Sequence, residues 1–242
     1  MRRFAKTFLL QLGAWCKRDK APKVVFYHDI GTVYTPMGTP LDLFGAHVRC
    51  LRPGDVVCFD DGFRGIWDAR ELIDRADRVD RFYKIIVFLS VGLVGRKGYL
   101  TWDEIRTLQN EYGVEFQCHT WSHQTLAGPW NNEVPIPSEG RTDEWYRHEL
   151  VGSKVELERQ LGKEVTALCF PVGYFNDDVI RRCKTAGYEK VYASYPGNVT
   201  SEYVQPRCLV QGLSVREMKC VLNGGMNLFK NRYLRMHRVG RC

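Results

Sequence analysis

The sequence predicts an α/β chain whose parallel strands close, or nearly close, into a barrel. Three observations carry this expectation. Seven apolar runs of strand length recur along 242 residues, each almost continuous in hydrophobic residues, as in strands covered on both faces. Helical patterns with polar caps separate most of them, and alternating β and α elements imply right-handed crossovers and a parallel sheet. Seven strands in this length leave few spare residues, which favours a barrel over an open doubly wound sheet.

The strands are read at Lys23–His28 (KVVFYH), Asp55–Asp60 (DVVCFD), Tyr83–Leu89 (YKIIVFL), Val114–His119 (VEFQCH), Val165–Phe170 (VTALCF), Lys190–Ala193 (KVYA) and Arg207–Val210 (RCLV). A helix is expected from about Ile66 to Asp77. The next opens at Thr101, where "TWDEI" sets an N-cap before acids in the first turn, and runs to Tyr112. A third begins near Thr142 and continues to a glycine stop at Gly162. "NDDVIRRCKTAG", from Asn176 to Gly187, joins an Asn cap to a Gly stop, and a last helix follows Ser214. The three prolines of Gly128–Arg141 (GPWNNEVPIPSEGR) mark a surface loop.

With 44% apolar and 12% aromatic residues the chain can bury a sizeable core. Its net charge of +7 sits at the ends: residues 1–20 carry +5 and residues 226–242 another +5, leaving the body at −3. The organisation that follows is a basic amphipathic segment over 1–22, a barrel over 23–225 and a basic tail over 226–242. Phe4, Phe8, Leu12 and Trp15 share one helical face, which suits either an interfacial helix or one packed on the barrel. Peripheral membrane contact through the basic ends is the first of those readings. The apolar stretch from Phe8 to Trp15 falls short of the roughly 20 residues a span needs, and no leader cleavage site is clear. Nine cysteines without CxxC pairs point to a reducing compartment, hence to the cytoplasm, at or near the inner membrane face. Neither GxGxxG nor GxxxxGK[ST] occurs, and no nucleic-acid-binding motif accompanies the basic ends, so no nucleic acid is expected as partner.

In a parallel barrel the reactive side chains project from the C-terminal strand ends. His28 and Asp29 close the first strand, and Asp60 and Asp61 the second. His119 closes the fourth, with His123 four residues on, and Pro171 and Gly173 follow the fifth. The Asp60-Asp61 pair is unusual at the end of a buried run, because Asp is a poor strand residue and like charges repel. "HTWSH" sets His119 and His123 at i and i+4, a spacing that lets two imidazoles hold one ion. Two His and one carboxylate make an open, catalytic ligand set. One aspartate would then bind the metal while the other does proton chemistry beside it. The alternative is a helix-capping role for Asp61, which leaves Asp60 unexplained.

"CFDDGF", "HTWSH" and "CFPVGYF" resemble, in order and spacing, three motifs of the polysaccharide deacetylases of carbohydrate esterase family 4, over about residues 23–225. "VVFYHDI" further resembles the permuted subgroup that begins with a Y-H-x-[IV] strand. The resemblance implies a distorted (β/α)7 barrel holding one divalent metal through Asp61, His119 and His123. Asp60 would be the general base and His28 the general acid. A backbone N–H of the Pro171–Gly173 turn, near Val172, would help hold the oxyanion. Zn²⁺ is the default ion, and Co²⁺ or Ni²⁺ suit the same ligands. Cys169 stands where many members carry an arginine that orients the base. The late L-x-H motif is missing, although "YLRMH" places His237 after a leucine in the basic tail.

The activity implied is removal of N-acetyl, or O-acetyl, groups from a saccharide, such as a cell-surface polysaccharide precursor or a lipid-linked sugar. Trp121, Tyr174, Phe175, Trp130 and Tyr195 are expected to form a sugar-stacking groove on the same rim, with Pro171, Val172 and Gly173 beside it. Two rival readings remain. One keeps the metal but takes a non-sugar amide, and the other is a non-catalytic barrel that binds glycan.

Overall fold

The computed structural model describes residues 19–31, 35, 37–77, 83–131 and 135–238. The amphipathic face at Phe4–Trp15 lies outside the described residues. In chain order the elements are β1 (Val24–Tyr27), α1 (Leu41–Val48), β2 (Val56–Phe59), α2 (Gly65–Asp68), α3 (Arg70–Asp77), β3 (Lys84–Leu89) and α4 (Trp102–Glu111). β4 (Glu115–Cys118) leads to α5 (Asp143–Arg147), a π-helical turn (His148–Gly152) and α6 (Ser153–Leu161). β5 (Ala167–Cys169), α7 (Asp177–Thr185), β6 (Lys190–Ala193), β7 (Val204–Pro206), β8 (Cys208–Leu209), α8 (Val215–Leu222) and α9 (Lys230–His237) complete the chain.

Every strand pairing is parallel, in the order β7-β6-β5-β4-β3-β2-β1-β8. Only Arg207 separates β7 from β8. β7 pairs with β6, through Val191 and Val204, whereas β8 pairs with β1, through Val25 and Cys208. One interrupted seventh strand thus changes partner at Arg207 and nearly closes the barrel. The thinnest seam lies between β4 and β5, where Cys118 and Leu168 form the one registered pair. There the Gln117 side chain accepts the Ala167 N–H at 2.8 Å and stands in for a ladder bond.

Side chains alternate across a strand, so each strand has an inward and an outward row. Val24, Phe26, Cys58, Ile86, Phe88, Ala167, Cys169 and Tyr192 form one buried cluster inside the barrel. Their neighbours Val25, Tyr27, Val57, Phe59, Val87 and Leu168 belong to the larger cluster shared with the helices. Continuing the inward rows past the strand ends brings His28 up from β1, Asp60 from β2 and His119 from β4.

The caps expected at Thr101 and Ser214 are reciprocal, with Glu104 and Glu217 returning the bond to the cap. Two readings change. The helix expected over 66–77 is two helices, and the one from Thr142 to Gly162 carries a π-helical turn at its middle. α9 was not legible as a helix. It returns the C-terminal segment to the barrel: Phe175 N–H donates to His237 O at 2.9 Å, and Arg238 pairs with Asp177 at 2.7 Å.

Candidate active site

Asp60, Asp61, His119, His123 and His28 meet in a cleft of about 520 Å³ at the C-terminal ends of the strands. Asp61 Oδ1 lies 3.3 Å from His119 Nε2 and 3.0 Å from His123 Nε2. His119 Nδ1 is 2.9 Å from the Cys169 carbonyl, which accepts its proton and leaves Nε2 with a lone pair. Asn131 brings its amide within 3.2 Å of His123 Nδ1. Asp61 is buried, and its Oδ1 faces both imidazoles. Burial alone would raise its pKa, but the two imidazoles, His123 foremost, hold the carboxyl well below its usual range.

The backbone is strained where these groups converge. Among the described residues, the non-glycine residues with positive φ are Asp61 (70°), Thr120 (67°), His123 (62°) and Val172 (58°). Such conformations cost on the order of 1–3 kcal/mol each and persist only where surrounding contacts over-determine them. One such contact is Glu149, a buried carboxylate from the π-helical turn. Its Oε2 accepts the N–H groups of Trp121 at 3.0 Å and Ser122 at 2.9 Å, clamping the loop between the two histidines. At Gly173, φ is +83° and an added Cβ would meet the Ser194 side chain at 2.7 Å, so the turn beside Val172 admits only glycine.

Asp60 faces a different partner. Both of its oxygens accept from Arg207, at 2.6 and 2.9 Å, in a bidentate pair buried inside the barrel. The guanidinium also lies over the rings of Phe26 and Phe88, at 4.2 and 5.4 Å. Burial would raise the Asp60 pKa, but Arg207 and then His119 hold it below the ordinary value. Cys169 sits 3.9 Å from Asp60 Oδ2, and burial pushes its thiol well above the usual value, so it is a neutral neighbour. Asp60, His119 and Cys169 also lie close enough together to hold an ion. The bidentate arginine and the protonated thiol argue against that set and for Asp61, His119 and His123. Two imidazoles and a carboxylate, mutually within 4.8 Å, fit one divalent metal.

His28 lines the same cleft, and its Nδ1 lies 2.6 Å from Gln211 Oε1. An amide oxygen can only accept, so Nδ1 carries the proton and Nε2 is left for the cleft. His237, placed by α9, also lines the cleft. His47 is buried between Tyr27 OH and the Leu213 carbonyl, as suits a structural histidine.

Val172 lines the cleft, while Pro171 and Gly173 are buried beneath it. The sugar-stacking groove is not formed among the described residues. Trp121 packs on His148 at 4.5 Å and borders a separate surface hollow. Trp130 lies against Trp145 and Arg141, and Phe175 is buried on Phe170. Tyr195 is buried with its hydroxyl on the Val204 carbonyl, and Tyr174 stands behind His237, 5.6 Å from its ring. Sequence reasoning gave Arg207, Gln211 and Glu149 no role. Only Arg207 left a signal, a charge opening an otherwise apolar run.

A family model described as polysaccharide deacetylase matches residues 56–191, more than half of the chain. The Bacillus subtilis (strain 168) protein YxkH, provisionally named a polysaccharide deacetylase, is 21% identical over 211 residues, covering 76% of this chain and 69% of its own. Among solved structures, the polysaccharide deacetylase BC0361 from Bacillus cereus superposes with a TM-score of 0.69 at 20% identity, over 84% of this chain and 69% of its own. IcaB from Ammonifex degensii gives 0.70 at 16% identity, over 85% and 98% of the two chains. Streptococcus pyogenes deacetylase PplD, solved with acetate, gives 0.66 at 18% identity, over 84% and 98%.

Proposed function

Because the chain belongs to the polysaccharide deacetylase family, we propose that it removes acetyl groups from an acetylated saccharide with the help of one divalent metal held by Asp61, His119 and His123. The observation that carries this reading is the juxtaposition, on one rim of the barrel, of that ligand set with Asp60, ionised by its own buried arginine. When bound, the metal, Zn²⁺ by default, supplies Lewis acidity that polarises the acetyl carbonyl and acidifies water.

The chain's own residues do the rest. Asp60 takes the proton of the attacking water, and Arg207 fixes its orientation and keeps it ionised at neutral pH. Gly173 already donates its N–H to the Phe170 carbonyl, so the Val172 N–H is assigned to the developing oxyanion. His28, doubly protonated with its Nδ1–H held by Gln211, delivers the Nε2 proton to the departing amine and is left as the Nδ1–H tautomer. Acetate and a free amino sugar leave.

The test is acetate release from acetylated oligosaccharides by the metal-loaded protein, with small amides assayed in parallel. Asp60→Asn and His28→Ala are each expected to lower turnover by roughly 10²–10⁴-fold. Turnover of small amides with none of any saccharide would transfer the chemistry to another substrate class. Unchanged turnover in Asp60→Asn would remove its role as base.

A further inference from the structure

The floor of the cleft is polar, but its mouth is not. Met37, Val172, Leu209 and Met236 line it and are 41%, 48%, 46% and 55% exposed, and Met226 joins them. Four large apolar side chains left in water around one opening form a patch that a soluble surface avoids without a use for it. A polymer of sugars would need ring faces to stack on and polar groups to bond as it leaves the floor. The aromatic residues expected to stack are turned away, as described above, and Tyr233 lines the cleft from α9. Methionine and leucine offer an adaptable apolar surface that suits an alkyl chain better than a glycan.

Charge lies beside this rim. α9 contributes Tyr233, Met236 and His237 to the cleft, and it carries Lys230, Arg232 and Arg235 with no acidic residue. Cations bordering an apolar mouth above a polar floor match a molecule with a sugar, a phosphate and a hydrocarbon chain in that order.

Resting on the deacetylase reading, we infer that the substrate is a single acetylated sugar on a long-chain isoprenoid phosphate, rather than a long glycan. The sugar occupies the floor, the phosphate meets the cations of α9, and the first isoprene units cover Met37, Leu209, Met226 and Met236. The rim excludes water from the cleft once it is covered.

The inference is tested by calorimetric titration of the full-length, metal-loaded protein with farnesyl monophosphate. Inorganic phosphate, farnesol and N-acetylchitotetraose are titrated as separate arms. Saturable binding of farnesyl monophosphate, at least tenfold tighter than any of the other three, is the expected result. Met236→Glu and Leu209→Glu should each weaken it at least tenfold while leaving metal content at the wild-type level, which also reports an intact fold. Absent binding, binding unchanged in both variants, or tighter binding of the tetrasaccharide overturns the inference. Farnesol binding as tightly as its phosphate overturns the anionic carrier. None of these outcomes bears on metal content or acetate release, which decide the deacetylase reading separately.

Discussion

Asp60 and Arg207, 147 positions apart in the chain, meet as a two-pronged ion pair at 2.6 and 2.9 Å inside the barrel. The pair exists because the seventh strand changes partner at Arg207, which turns this side chain inward under the cleft. Removing the cation leaves a buried, uncompensated carboxylate. Arg207→Met is expected to cost about 3–5 kcal/mol of stability, measured by denaturant unfolding at neutral pH. The Asp60 pKa, now held down, should rise. The acidic limb of kcat/KM then moves to higher pH, whereas a purely structural arginine would leave the limb in place.

Glu149 offers a second test of how the histidine loop is held. Glu149→Gln keeps an acceptor but loses the charge that binds two backbone N–H groups. Metal affinity is expected to fall about 10–100-fold, as for other groups that support a ligand loop. Equilibrium dialysis against a metal buffer reads this directly, and an unchanged affinity would reduce Glu149 to a packing residue.

Both partial successes of the sequence have physical causes. Strand positions and the convergence of His28, Asp60, Asp61, His119 and His123 were legible because buried strands are apolar throughout and because alternation projects the next inward residue into the rim. Arg207, Gln211 and Glu149 were not, because each acts through a contact between distant segments that no local pattern records. The aromatic residues misled for the same reason. Trp121 sits inside the histidine motif, but its neighbour on the π-helical turn, His148, draws the ring outward.

Gln211 fixes the tautomer of His28. Gln211→Leu removes the acceptor at 2.6 Å and frees the ring to rotate or change tautomer. Turnover should fall roughly tenfold or more with metal content unchanged, since general acid catalysis contributes about 10²–10⁴. Gln211→Glu, which keeps an acceptor, should retain more activity than the leucine variant.

Asp29 predicts a pH dependence of stability. It is buried beside His28 with one oxygen unpartnered, and burial pushes its pKa up to about 7. In the unfolded chain the group titrates near about 3.9. Between those values the folded state binds the extra proton, so stability falls as pH rises from about 4 to about 7 and levels off above. Asp29→Asn should flatten this part of the profile and raise Tm at pH 8 relative to wild type. Thermal unfolding across pH 4–8 that shows the same slope in both proteins would contradict it.

The most direct test of the whole account is metal content by plasma emission on the purified wild type, Asp61→Ala and His123→Ala. About one divalent transition metal per wild-type chain is expected, and its loss in both variants. A wild type that is metal-free and also resists loading with Zn²⁺, Co²⁺ or Ni²⁺ would contradict it, and would leave a barrel that binds saccharide without hydrolysing it.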